Sequence, residues 1–72
     1  SIKVSNLNNN QIMKFEKTLT KADLVYDFFI SKIDKDFVYY KVIFNGTPNV
    51  FLKKMILMDY NFDTQNSIWI LK

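Results

Sequence analysis

The chain has 72 residues and a net charge of +3, and its ten basic residues are all lysine. Nearly half of the residues are hydrophobic, which excludes a disordered chain. A domain this small buries only about 60% of the surface that its unfolded chain exposes. The sequence contains no cysteine, histidine or arginine, which excludes disulfides, cysteine-based zinc sites and nucleophile–histidine catalysis.

The first predicted elements are a short strand and a helix. Apolar and polar residues alternate over Ile2–Ser5, which predicts a strand. Asn8 is a favourable N-cap, and apolar residues such as Phe15 and Leu19 follow it at helical spacing. We therefore predict a helix that starts after Asn8 and ends near Lys21.

Two β-rich segments, residues 24–33 and 37–44, flank a polar turn and predict a hairpin. Because side chains alternate along a strand, we expect the charge-free set of each segment to face the core. These sets are Leu24, Tyr26, Phe28 and Ile30 in the first segment and Val38, Tyr40, Val42 and Phe44 in the second. A β-bulge in the first segment would reverse its assignment partway along.

The last third of the chain predicts a helix and a closing strand. Thr47 is a favourable N-cap and Pro48 suits the first helical position, so we expect a helix to about Met58 or Asp59. Residues 60–62 are a candidate for a further short strand, and residues 68–71 form the last one. With right-handed crossovers, the order strand–helix–strand–strand–helix–strand predicts a ferredoxin-like split βαβ fold of the α+β class.

This fold has an antiparallel sheet with both helices on one face. We expect residues 1–72 to form a single such domain. Because the chain begins with serine and not methionine, we also expect it to be a processed product or a module of a larger protein.

The other face of the predicted sheet is not covered by helices. Its expected members, which form the candidate interaction face, are Lys3, Phe29, Phe37, Tyr39, Lys41 and Ile43. Monomers rarely expose an apolar patch of this kind, so the pattern favours self-association as a homodimer or contact with another domain of the same protein. Rings interleaved with lysines also suit single-stranded nucleic acid, whose bases stack on rings while ammonium groups contact phosphates.

Two segments near this face resemble motifs of the RNA-recognition-motif family. The sequence IKVSNL at residues 2–7 is similar to the first-strand motif, and Phe37 and Tyr39 lie at alternate positions like the stacking aromatics of the third-strand motif. The resemblance implies binding of single-stranded RNA, and Lys3 and Lys41 would contact phosphates. The chain departs from the family at Lys3, where a stacking aromatic is expected.

A second pattern combines YKVIFNG at residues 40–46, Thr47-Pro48 before a helix, and WIL at residues 69–71. It resembles the C-terminal end of an uncharacterised family of bacterial envelope-associated proteins of unknown function. The resemblance implies a module of a larger protein in the bacterial envelope or periplasm, and it implies no activity that can be named.

Carboxylates are the only candidates for catalysis. Asp34 and Asp36 flank the hairpin turn, and Asp59 and Asp63 surround the end of the second helix, but neither pair has a companion base or a calcium-loop pattern. We expect the first pair to bond the backbone of the turn and the second pair to be solvated. The sequence therefore predicts a non-catalytic protein without a metal or cofactor.

Two further features have alternative interpretations. Trp69 is a core residue or a ligand platform, and the core is favoured, although the segment around it is apolar on both sides. Val50 and Leu57 fall on the lysine flank of the second helix, where they are ordinary exposed aliphatics or a small docking ridge.

Overall fold

The computed structural model describes residues 1–72 and has the α+β composition predicted from the sequence. Two helices and five strands make up the chain. In chain order they are β1 (Ile2–Ser5), α1 (Asn9–Lys21), β2 (Val25–Ile33), β3 (Phe37–Phe44), α2 (Pro48–Leu57), β4 (Phe62–Asp63) and β5 (Trp69–Leu71). Neither helix is long and apolar enough to cross a membrane.

Both helices begin at the predicted capping residues. The Asn8 side chain accepts a hydrogen bond from the backbone N–H of Gln11 at 3.1 Å. The Thr47 hydroxyl accepts one from the N–H of Val50 at 3.3 Å. Each bond satisfies an amide that the first helical turn leaves without a partner. Pro48 stands at the start of α2, where its missing N–H costs no helical hydrogen bond.

The core lies between the two helices and one face of the sheet. Phe15 of α1 is buried with its ring centroid 5.6 Å from that of Tyr40 on β3. Phe51 of α2 packs against Phe44, on the same face of β3, at 4.7 Å. The predicted core set of β3 is therefore confirmed. The buried residues are Ile2, Val4, Phe15, Leu19, Ala22, Val38, Tyr40, Phe51, Met55, Phe62 and Leu71.

The sheet is mixed, and its strand order is β2-β3-β1-β5-β4. β3 lies antiparallel between β2 and β1, but β5 pairs in parallel with β1. The prediction of a purely antiparallel sheet is therefore wrong, and the ferredoxin-like topology is not confirmed. The physical reason is that the chain forms the short edge strand β4 first and then turns back, so β5 enters beside β1 in the opposite direction to β4.

Strand β2 departs from simple alternation at two places. Its register with β3 shifts on either side of the segment 27–30, and each shift adds a residue that the partner strand does not match. The prediction that Tyr26 faces the core is wrong, because this side chain is 72% exposed. Val25 instead lies opposite Phe44 on the helix side, and the second shift turns Lys32 to the other face.

On the outer edge of β2, a side chain of the same strand bonds one backbone amide. The Asp27 carboxylate accepts a hydrogen bond from the backbone N–H of Phe28 at 2.9 Å. The Phe28 N–H therefore bonds the Asp27 carboxylate and not the backbone of β3, and it lies on the outward edge of β2.

Candidate interaction face

The six residues predicted for the candidate interaction face lie together on the sheet face turned away from the helices, called the open face below. Directly paired residues of neighbouring strands share a face. Lys3 of β1 pairs with Tyr39 of β3, and Phe29 of β2 pairs with Lys41. Phe37 and Ile43 lie two residues from Tyr39 and Lys41 along β3, so they share the same face.

The open face has an exposed half and a covered half. Phe29 is 50% exposed and Ile43 is 47% exposed, so both present apolar surface to solvent. Phe37 and Tyr39 are less exposed than these two residues, because both are half-buried. The apolar surface available for contact therefore lies toward the β2 side of the face.

Two lysines cover the aromatic rings of the open face. The Lys3 Nζ lies 4.4 Å from the centroid of the Phe37 ring, and the Lys32 Nζ lies 5.1 Å from that of Tyr39. The two rings meet edge to face with centroids 6.2 Å apart. A cation–π contact at an exposed site contributes about 0.5–1 kcal/mol, so an incoming group can displace these ammonium groups at modest cost.

Asp34 fixes the orientation of Tyr39 from the β2–β3 turn. Its Oδ1 accepts hydrogen bonds from the N–H groups of Phe37 at 2.7 Å and Asp36 at 2.9 Å, and its Oδ2 accepts one from the Tyr39 hydroxyl at 3.0 Å. The two backbone bonds hold the pKa of Asp34 below its ordinary value. The bond to the Asp34 carboxylate raises the pKa of Tyr39. The predicted turn role of Asp34 is confirmed, and its contact with Tyr39 is an addition.

The sequence did not predict three members of the open face. Simple alternation along β2 puts Lys32 on the helix side, and only the second register shift brings it onto this face. Ile70 lies beside Lys3 because β5 pairs in parallel with β1, and Asp63 of β4 lies beside Ile70. The apolar run of β5 gave no signal for its orientation, since both of its faces are apolar.

The remaining candidates lie away from the open face. Trp69 faces the helices, with its ring centroid 6.3 Å from Phe51 and 6.2 Å from Phe62, in agreement with the core interpretation. Leu57 is 81% exposed and Val50 is also exposed, as predicted. No group of three carboxylates lies close enough together to hold a metal ion.

The open face therefore offers apolar contact, aromatic rings and lysine ammonium groups. Its other polar groups include the bonded pair of Asp34 and Tyr39 and the carboxylates of Asp27 and Asp63. No protein-family model, curated protein sequence or solved structure matches this chain.

Proposed function

We propose that this domain is a non-catalytic interaction module that associates with a second copy of itself through the open face. The observation that carries the proposal is the exposed pair Phe29 and Ile43 beside the lysine-covered rings. Burying a fully exposed side chain of this kind releases about 1.5–3 kcal/mol, and Phe29 and Ile43 each retain about half of that exposed surface.

The lysines of the open face are compatible with such an interface. Long lysine side chains can lay their methylene groups along apolar surface and keep the ammonium group at a solvated rim. Lys41 is already exposed at the Phe29 side of the face, and Lys3 and Lys32 can move outward when a partner ring approaches. The mixed composition of the face therefore supports a modest interface with a polar rim.

We also propose that the fold is a variant of the ferredoxin-like fold. Its support is the order β2-β3-β1, in which two strands of one direction flank an antiparallel strand. The bacterial envelope or periplasmic location implied by the C-terminal resemblance is likewise a proposal. Fractionation of cells that express the parent protein tests it.

The molar mass in solution tests the association. We expect light scattering at two protein concentrations tenfold apart to give a dimer that dissociates on dilution. Ile43→Lys should give a monomer at both concentrations, because it places a charge where apolar contact is needed. Leu57→Lys is the matched control on α2, and it should leave the dimer unchanged. A wild-type monomer at both concentrations contradicts self-association and favours a neighbouring domain as partner.

Binding of single-stranded RNA is the second candidate, and it is favoured by Phe37 and Tyr39 at alternate positions on β3. A base that stacks gains about 1–3 kcal/mol, which exceeds the cost of displacing Lys3 from the Phe37 ring. Lys3 and Lys41 would then contact phosphates. This function predicts a monomer whose affinity for an oligonucleotide falls with salt, with a slope of about 0.7 per neutralised phosphate.

A titration with an oligonucleotide separates the two functions. If RNA binds, Phe37→Ala should weaken the affinity by about 5- to 150-fold, the equivalent of about 1–3 kcal/mol. An affinity that does not change in Phe37→Ala refutes stacking on this ring.

A further inference from the structure

Strand β3 extends beyond the strand that pairs with it on one side. β1 covers β3 only from Phe37 to Tyr40, where the last pair joins Tyr40 to Ile2. β3 continues to Phe44, and β2 pairs with it along this whole extension. On the β1 side, the segment 41–44 has no strand opposite it.

The backbone of this extension presents hydrogen-bonding groups to the uncovered side. Asn6 donates its backbone N–H to the carbonyl of Asp36 at 2.8 Å, which makes this pair a hydrogen-bonded one in the β1–β3 ladder. In an antiparallel ladder every second pair is of this kind. By the same alternation, the N–H and C=O of Tyr40 point toward β1. Those of Val42 point to the same side of β3, into the space that β1 would fill if it extended beyond Ser1.

Strand β5 supplies the opposite wall of this space. Trp69 pairs with Ile2 in parallel, and its backbone N–H donates to the carbonyl of Ser1 at 2.9 Å. Continuing this register by two residues places Ser67 beside the position that precedes Ser1. Continuing the β1–β3 register places Val42 opposite that same position. Two independent ladders therefore converge on one place.

A pocket of about 210 Å³ lies at this place, on the helix side of the sheet. Its walls include Ile2, Val42, Phe44, Phe51 and Trp69, with Ser67 at its edge. Ile2 points to the helix side, so the position two residues before it points there as well. A cavity of about 150 Å³ holds a benzene ring, so this pocket has room for an aliphatic side chain.

The amino group of Ser1 is poorly placed as a charge. Burial lowers its pKa, and the positive charge of Lys41 lowers it further. A peptide bond at this nitrogen would remove the charge and leave an N–H that suits the strand.

We propose that this pocket is a strand-completion site, meaning a site for an extended peptide segment that is joined to Ser1 and continues β1 between β3 and β5. One aliphatic side chain of that segment fills the pocket. The segment runs antiparallel to β3 and exchanges backbone hydrogen bonds with Val42. The pocket lies on the helix side of the sheet, whereas the proposed association uses the open face.

Extensions of two residues before Ser1 test the proposal. Lys-Val places valine at the pocket position, and Lys-Gly is the matched control with the same backbone length. We expect Lys-Val to melt at least about 5 °C above Lys-Gly, because the valine side chain becomes buried. Hydrogen exchange of the Val42 amide should slow at least about tenfold in Lys-Val relative to the unextended chain.

The unextended chain with an acetylated amino group separates charge removal from pocket filling. Acetylation alone should give less than half of the gain in melting temperature shown by Lys-Val. Equal melting temperatures for Lys-Val and Lys-Gly, or full reproduction of the gain by acetylation, would overturn the proposal. An unchanged exchange rate at Val42 in Lys-Val would do the same.

Discussion

The hydrogen bond between Tyr40 and Glu16 is the polar contact at the centre of the fold, and Tyr40→Phe tests its contribution. The Tyr40 hydroxyl donates to the Glu16 carboxylate at 2.5 Å, from a side chain that is fully buried in β3. Phenylalanine keeps the ring, and with it the edge contact to Phe15 at 5.6 Å. The substitution therefore removes one oxygen and one hydrogen bond while the packing stays.

The expected loss follows from the environment of the two groups. A hydrogen bond to a charged group contributes about 1.5–3 kcal/mol to the free energy of unfolding. Glu16 is half-buried and recovers water when the hydroxyl is gone, so we expect the lower part of this range, about 1.5–2 kcal/mol. For a domain of this size, that loss lowers the melting temperature by about 6–15 °C.

Urea denaturation followed by circular dichroism measures this loss directly. Tyr26→Phe is the matched control, because it removes the same oxygen from a side chain that is 72% exposed, and it should change stability by less than about 0.5 kcal/mol. A double-mutant cycle of Tyr40→Phe with Glu16→Gln should show coupling of about 1 kcal/mol. Equal stability of Tyr40→Phe and the wild type, at equal denaturant slope, would refute the reasoning.

The pH dependence has a definite sign. Burial, and then the bond to Glu16, raises the pKa of Tyr40, so the folded state favours the protonated hydroxyl. The corresponding stabilisation is complete below the ordinary tyrosine pKa of about 10, and it is lost as the pH rises above that value. Tyr40→Phe should therefore lose less stability between pH 9 and pH 11 than the wild type does.

Two further predictions concern turns. Asp34→Ala should speed hydrogen exchange at the amides of Asp36 and Phe37, because the Asp34 carboxylate accepts hydrogen bonds from both. Since folding lowers the pKa of Asp34, the stabilisation by its carboxylate is present above the ordinary pKa of 3.8 and is lost as the pH falls through the pKa of the folded state. An NMR titration checks this pH dependence. Gly46→Ala should destabilise by about 1 kcal/mol because φ is +102°, whereas Asp59→Gly should stabilise by about 1 kcal/mol because Asp59 has φ of +68°. Thermal unfolding measures both, and the same sign of change in the two variants would contradict the argument from φ.

The helix starts could be predicted because their signals are local. Asn8 and Thr47 bond amides only three residues away, so the capping geometry is contained in a few consecutive residues. The same holds for the Asp34 turn. The core set of β3 was also predictable, since this strand keeps strict alternation over its whole length.

The faces of β2 and β5 could not be predicted because they depend on the partner strand. The register shifts that expose Tyr26 and bring Lys32 to the open face arise from pairing with β3, and no local residue pattern marks them. Trp69 stands in a segment that is apolar on both faces, so only its pairing with β1 decides its orientation. The parallel direction of β5 likewise depends on the chain forming β4 first.

The irregular edge strand β2 also affects how the chain behaves at high concentration. A long, regular edge strand is a template on which other chains can add strands and aggregate. β2 breaks its ladder twice, and the Asp27 carboxylate occupies the outward amide of Phe28. At the other edge, β4 has only two residues. Both edges therefore resist the addition of a further strand, and this protects a chain with many exposed apolar side chains from fibril growth.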